Sequence, residues 1–192
     1  MKKFVISLLS VIFLCAAATA QVLVGMTDTT AYFPQLEGRR VAVLANHTAV
    51  ARFGDGAPGV AADAAVRLPG AASDGTIHLV DLLHGRGFDV TGIFSPEHGF
   101  RGTADAGEHV ASSVDAATGI PIRSLYDGNT KRPSDEAMRS FDVLVVDMQD
   151  VGLRFYTYYI TMLRMMDACA ESGRSVIAVS YTHLRAHETR HD

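Results

Sequence analysis

The run DVLVVD at residues 142–147 constrains this chain more than any other stretch. It is short, apolar and rich in β-branched side chains, and it closes on Asp147. That is the pattern of a strand buried on both faces of a parallel sheet. Directly beyond it come Gln149, Asp150, Arg154, Tyr156 and Tyr158, gathered around Gly152. In open α/β sheets, ligands bind where the carboxyl ends of strands aim polar groups into a crevice. The stretch is therefore a candidate site edge. A competing reading is that Asp147 or Asp150 caps the next helix, since Asp is a favoured N-cap. Capping accounts for one aspartate and leaves the rest of the cluster unexplained.

The flanking sequence repeats the strand pattern. RVAVLA (40–45), DVTGIF (89–94) and SVIAV (175–179) are further apolar runs. Between them, 77–85, 134–139 and 157–173 carry apolar residues at helical spacing. Ser134 is the expected N-cap of the second, with Asp135 and Glu136 at its positive end. The third carries a Met/Leu/Ile stripe that reads as core and stops at Gly173. Strands alternating with helices predict a doubly wound, mostly parallel (Rossmann-like) α/β sheet with helices on both faces. PIRSLY (121–126) reads as a short additional strand, and 104–118 as a surface loop. Residues 51–76 are small and rich in Gly, Ala and Pro, too long for an ordinary loop, and read as an insertion.

The two ends stand apart from this domain. Lys2 and Lys3 precede an apolar run at 4–17 that is too short to span a bilayer, and Ala18-Thr19-Ala20 resembles a cleavage site. Residues 1–20 thus read as a secretory signal, which predicts a periplasmic or secreted protein beginning at Gln21 with no stable membrane anchor. Leu14 before Cys15 argues against lipidation there. Cys169 then remains as a single, core-facing cysteine, so no intramolecular disulfide is expected. At 180–192, His183, His187 and His191 recur every four residues and would share a helical face, which mimics a metal site. The stretch also closely resembles translated sequencing-adapter read-through, and it is read here as a non-native tail. The remaining 21–179 suit one globular domain. With a net charge of −4 and no basic stripe, nucleic acid is not an expected partner.

Three stretches carry a family resemblance: RVAVLANHTAV (40–50), SPEHGFRGTADAGEHV (95–110) and DVLVVDMQDVGLRFYTYYITM (142–162). TGIPIRSLYDGNTKRPSDE (118–136) adds to them. Together they resemble the N-terminal part of the exo-β-N-acetylmuramidase family (NamZ-type), although His47 stands where Gln is usual. The resemblance covers 36–179 apart from the 51–76 insertion. It implies a secreted or periplasmic glycoside hydrolase that releases N-acetylmuramic acid from the non-reducing ends of peptidoglycan fragments. In that family a second domain follows the 175–179 strand. The chain is accordingly expected to be an N-terminal fragment, inactive alone, whose missing partner is the C-terminal domain of the same enzyme.

Cleaving a glycosidic bond calls for a proton donor and usually a second carboxyl group. Glu97, at the end of a strand and before His98 and Gly99, is the leading acid, with Asp147 and Asp150 as candidates for the second carboxylate. The planar fork of Arg154 matches the carboxylate of a muramic lactyl group. Tyr156 could border a sugar face, and Asn46 and Thr48 could meet N-acetyl or hydroxyl groups. His98, Arg101 and Gln149 complete the substrate-binding set. The plainer readings are that His98 braces its loop and Arg154 neutralises Asp150. Neither a cofactor nor a metal is expected: no H-E-x-x-H motif appears, and ANHTAV stands where a nucleotide-binding G-x-G-x-x-G would be. A metal-dependent hydrolase built on Glu97, His98, Asp147 and Asp150 is the weaker rival. A non-catalytic peptidoglycan-binding module is the other.

Overall fold

The computed structural model describes residues 25–52, 70–73, 75–101, 113–125, 132–150, 153 and 156–181. The proposed leader, the histidines of the tail, the body of the 51–76 insertion and Arg154 lie outside the described residues. In chain order, a 3-10 turn (Gly25–Thr27) leads into α1 (Thr29–Leu36), β1 (Arg40–Ala45), β2 (Val50–Arg52) and β3 (Thr76–His78). Next come α2 (Leu79–Gly85), β4 (Asp89–Ser95), β5 (Ser113–Val114) and β6 (Pro121–Ser124). The last elements are α3 (Asp135–Arg139), β7 (Val143–Met148), α4 (Tyr158–Glu171) and β8 (Ser175–Tyr181).

Six strands form one sheet in the order β5-β6-β4-β1-β7-β8. All its pairings are parallel except β5 with β6. From β1 the chain steps outward to β4 and β6, then crosses back to β7 and β8 on the other side. The reversal falls between β1 and β7, and such a switch point opens a crevice at the carboxyl ends of its two strands. Register sets those ends level, with Leu44 opposite both Val146 and Phe94, and Ala45 opposite Asp147.

Alternation along the central strands fills two separate cores. Val41, Val43, Ile93, Val143 and Val145 face one side, where they pack with residues of α1 and α2 such as Tyr32, Leu36 and Leu82. Leu44, Phe94, Leu144 and Val146 face the other, against Met138 of α3 and Met162, Met165 and Cys169 of α4. This two-sided burial is why the strands are apolar at nearly every position. Helix ends follow local chemistry. The Ser134 hydroxyl accepts from the Ala137 N–H at 3.2 Å to start α3. Gly173, at φ +66°, supplies the left-handed turn after α4.

The α1 helix was not expected, β5 falls within 104–118, expected as a surface loop, and two further elements differ from the sequence reading. Residues 77–85, expected as one helix, divide at His78. Its ring Nδ1 accepts from the Val80 N–H at 3.2 Å while its Nε2 meets the Asn46 carbonyl at 3.0 Å. That double tie holds His78 extended, as a cap, and leaves Thr76–His78 to pair antiparallel with Val50–Arg52. The β2–β3 pair therefore closes the base of the 51–76 insertion. The second difference is β8, which continues past 179 to Tyr181 and pairs Ser180 with Asp147 across a bulge.

Candidate active site

The residues after β1 and β7 brace one another at the switch point. Asn46 is wholly buried, and its Oδ1 accepts from the Thr48 N–H at 3.1 Å and the Thr48 hydroxyl at 2.6 Å. The Asn46 amide donates to the Gln149 carbonyl at 3.5 Å. The Gln149 N–H donates back to the Thr48 hydroxyl at 3.0 Å, and the Gln149 side chain reaches the Ser180 hydroxyl. Asn46, Thr48 and Gln149, expected as sugar contacts, form a polar tie joining β1, β7 and β8.

Beyond β4, the Gly99 N–H closes on the Pro96 carbonyl at 3.1 Å and turns the chain sharply. His98 occupies the third position of that turn at φ 70°. This is the type II arrangement, which ordinarily calls for glycine or asparagine there. The turn presents Glu97, half-buried, toward the start of α4, where its Oε2 accepts from the Thr157 hydroxyl at 2.7 Å. Around them the His98 and Tyr158 rings meet edge to face at 6.5 Å, and Tyr156 and Tyr158 at 6.1 Å. Burial pushes the Tyr158 hydroxyl up, a hydrogen bond with the Asn46 side chain offsets it, and the charges of Tyr156, Glu97 and Asp150 push it further up. The structure therefore gathers Glu97, His98, Asp150, Tyr156 and Tyr158 at one mouth.

Asp147 takes a different direction. Alternation places it on the side of Val143 and Val145, under α1, where its charge acts on the Tyr32 hydroxyl. The residue is 2% exposed, and its Oδ1 has no hydrogen-bond partner among the described residues. Burial pushes its carboxyl up to about 7, against the opposing effect of the Ser180 hydroxyl. Such a group stays protonated well above the usual carboxylate range. Arg101 is also occupied. Its guanidinium binds Asp81 of α2 at 3.0 and 3.2 Å and Asp115 at 3.0 Å through two nitrogens, and it lies 4.5 Å from the Phe100 ring centre. Asp81, Asp115 and Thr157 carry this geometry, and none of them stood out in the sequence, while Ser180 falls in the stretch expected to be a non-native tail. For Thr157 a signal existed: a threonine just ahead of a helical pattern, in the run already singled out.

Against known proteins, the family described as exo-beta-N-acetylmuramidase NamZ, N-terminal, matches residues 59–183. The chain belongs to this family. The peptidoglycan beta-N-acetylmuramidase NamZ of Bacillus subtilis (strain 168) is 48% identical over 95 residues, covering 49% of this chain and 23% of that protein. A solved DUF1343 family protein from Bacteroides fragilis is 41% identical with a TM-score of 0.59, over 83% of this chain and 35% of its own. A second from the same organism is 30% identical, also at a TM-score of 0.59, over 82% of this chain and 34% of its own. The chain thus spans less than a quarter of the Bacillus NamZ and about a third of each solved relative.

Proposed function

We propose that this chain is the N-terminal part of a secreted or periplasmic peptidoglycan hydrolase. Its complete protein releases N-acetylmuramic acid from non-reducing ends, with a second domain closing the cleft. The family membership supports the reaction class, and the Bacillus relative, named for peptidoglycan, supports the substrate class. The observation that carries the reading is the placement of Glu97. It sits on a tight turn at the end of β4, fixed to Thr157 at 2.7 Å, in the same mouth as Asp150 and Tyr158.

In this reading the Glu97 carboxyl gives its proton to the glycosidic oxygen as the bond to the anomeric carbon breaks. Water adds to that carbon, and Asp150 takes the proton that the water loses, which balances the hydrolysis. Asp150 suits this part better than Asp147, whose carboxyl is enclosed beneath α1. Arg154 is proposed to hold the lactyl carboxylate, and Tyr156 to border the sugar ring. The test is Glu97→Gln in the complete protein, assayed on a chromogenic muramic acid glycoside. Turnover is expected to fall by about a hundredfold or more while the sugar still binds. Wild-type turnover would remove Glu97 from the chemistry. Sugar affinity without release in the unaltered protein would mark a binding module instead.

A further inference from the structure

Thr157 opens α4, yet its side chain makes none of the hydrogen bonds that a helix-capping threonine makes to its own helix. Its backbone is helical already, at φ −84° and ψ −12°. The hydroxyl points instead to Oε2 of Glu97, 60 residues earlier in the chain, at 2.7 Å. The rest of the residue is fastened down. Its carbonyl accepts from the Thr161 N–H at 2.9 Å and the Thr161 hydroxyl at 2.8 Å, and Thr161 is buried. A donor held this firmly fixes the orientation of the carboxyl group it serves.

We infer that Thr157 is the positioning residue for Glu97, orienting the acid and stabilising the carboxylate left after its proton has gone. The inference rests on Glu97 being the proton donor proposed above. As the proton moves to the leaving oxygen, negative charge grows on Glu97. The Thr157 O–H then donates to an ionised acceptor rather than a neutral one, and a hydrogen bond to a charged group is the stronger of the two. A contact that strengthens as the reaction proceeds lowers the barrier rather than merely holding the ground state. The same charge develops at the N-terminal end of the fourteen-residue α4, where the backbone dipoles favour it.

The experiment compares Thr157→Val and Thr157→Ser with the unaltered complete protein on a muramic acid glycoside, with thermal unfolding of each followed in parallel. Thr157→Val is expected to lose roughly tenfold to a hundredfold in kcat, the size of one hydrogen bond to an ionised group, with KM within about threefold. Thr157→Ser keeps the hydroxyl and should return kcat to within about threefold of the starting value. Should valine prevent folding, Thr157→Ala removes the same hydroxyl. Added to Glu97→Gln, Thr157→Val should cost nothing more, because the two groups act as one unit. Full activity in Thr157→Val alongside a dead Glu97→Gln overturns the inference and leaves the acid standing. A rise in KM alone, or an equal loss in Thr157→Ser, also overturns it. An active Glu97→Gln instead overturns the proposed function on which the inference rests.

Discussion

A carboxyl group enclosed with one oxygen unpartnered is costly while ionised, so Asp147 keeps its proton up to about pH 7 in the folded chain. Unfolded, it ionises near its ordinary value of 3.8. Below that value both states are protonated and the folded state has its full advantage. Between about 4 and 7 the unfolded chain has released the proton and the folded chain has not, so stability falls by on the order of 1 kcal/mol per pH unit from this group. Above 7 the loss is complete. Asp147→Asn removes the titration, so its stability relative to the unaltered chain should rise steadily from pH 4.5 to about 7 and then level off. Thermal or urea unfolding across that range checks it, and a constant difference would show that Asp147 is ionised in the fold. The sequence located Asp147 at a strand end, and the two-residue period placed it with Val143 and Val145. Which side of the sheet bears the crevice depends on where α1 and α4 pack, and local sequence does not encode that.

Arg101 joins separate elements. One guanidinium ties Asp81 of α2 to Asp115, the residue after β5. Burial pushes the Asp115 carboxyl up, but hydrogen bonds from Arg101 and Thr118 outweigh it and hold the group below its usual range. Arg101→Met leaves two carboxylates, 8% and 5% exposed, without their cation. Because the arginine is itself 35% exposed, the expected loss is about 2–3 kcal/mol, below the figure for a fully enclosed pair. Chemical denaturation measures it, and a change under about 0.5 kcal/mol would show that the clasp is ornamental to stability. Such a clasp is invisible in sequence because its members are 20 and 14 residues apart with no shared pattern. By contrast β1 and β7 were legible, since a strand covered on both faces must be apolar at nearly every position, and β4 and β8 were legible from their shorter apolar runs. The β2–β3 pair was not: three-residue strands carry too little periodicity, and the His78 bonds that create the break arise only once Asn46 is nearby.

At the scale of the molecule, the described residues build one side of the crevice. The ends of β4, β1 and β7 supply Glu97, the Asn46–Gln149 tie and Asp150. Sugars are ordinarily held in clefts that cover most of their surface, commonly between two domains. The solved relatives are about three times as long as the part this chain matches, which leaves ample chain for a second wall. The apolar side chains of Leu153, close to the mouth, and of Leu163 and Met166 on α4 are all at least 40% exposed. If the proposed second domain supplies the other wall, its removal lets water in, weakens hydrogen bonds such as Thr157 to Glu97 and leaves a bound sugar poorly oriented. Residues 21–179 expressed alone are therefore expected to fold with limited solubility and to release muramic acid at under about 1% of the rate of a complete relative, the scale of loss when orientation fails. Chromogenic release measured side by side decides it. Comparable turnover would place the whole catalytic apparatus on this one sheet, and the second domain would then be needed for something other than the chemistry.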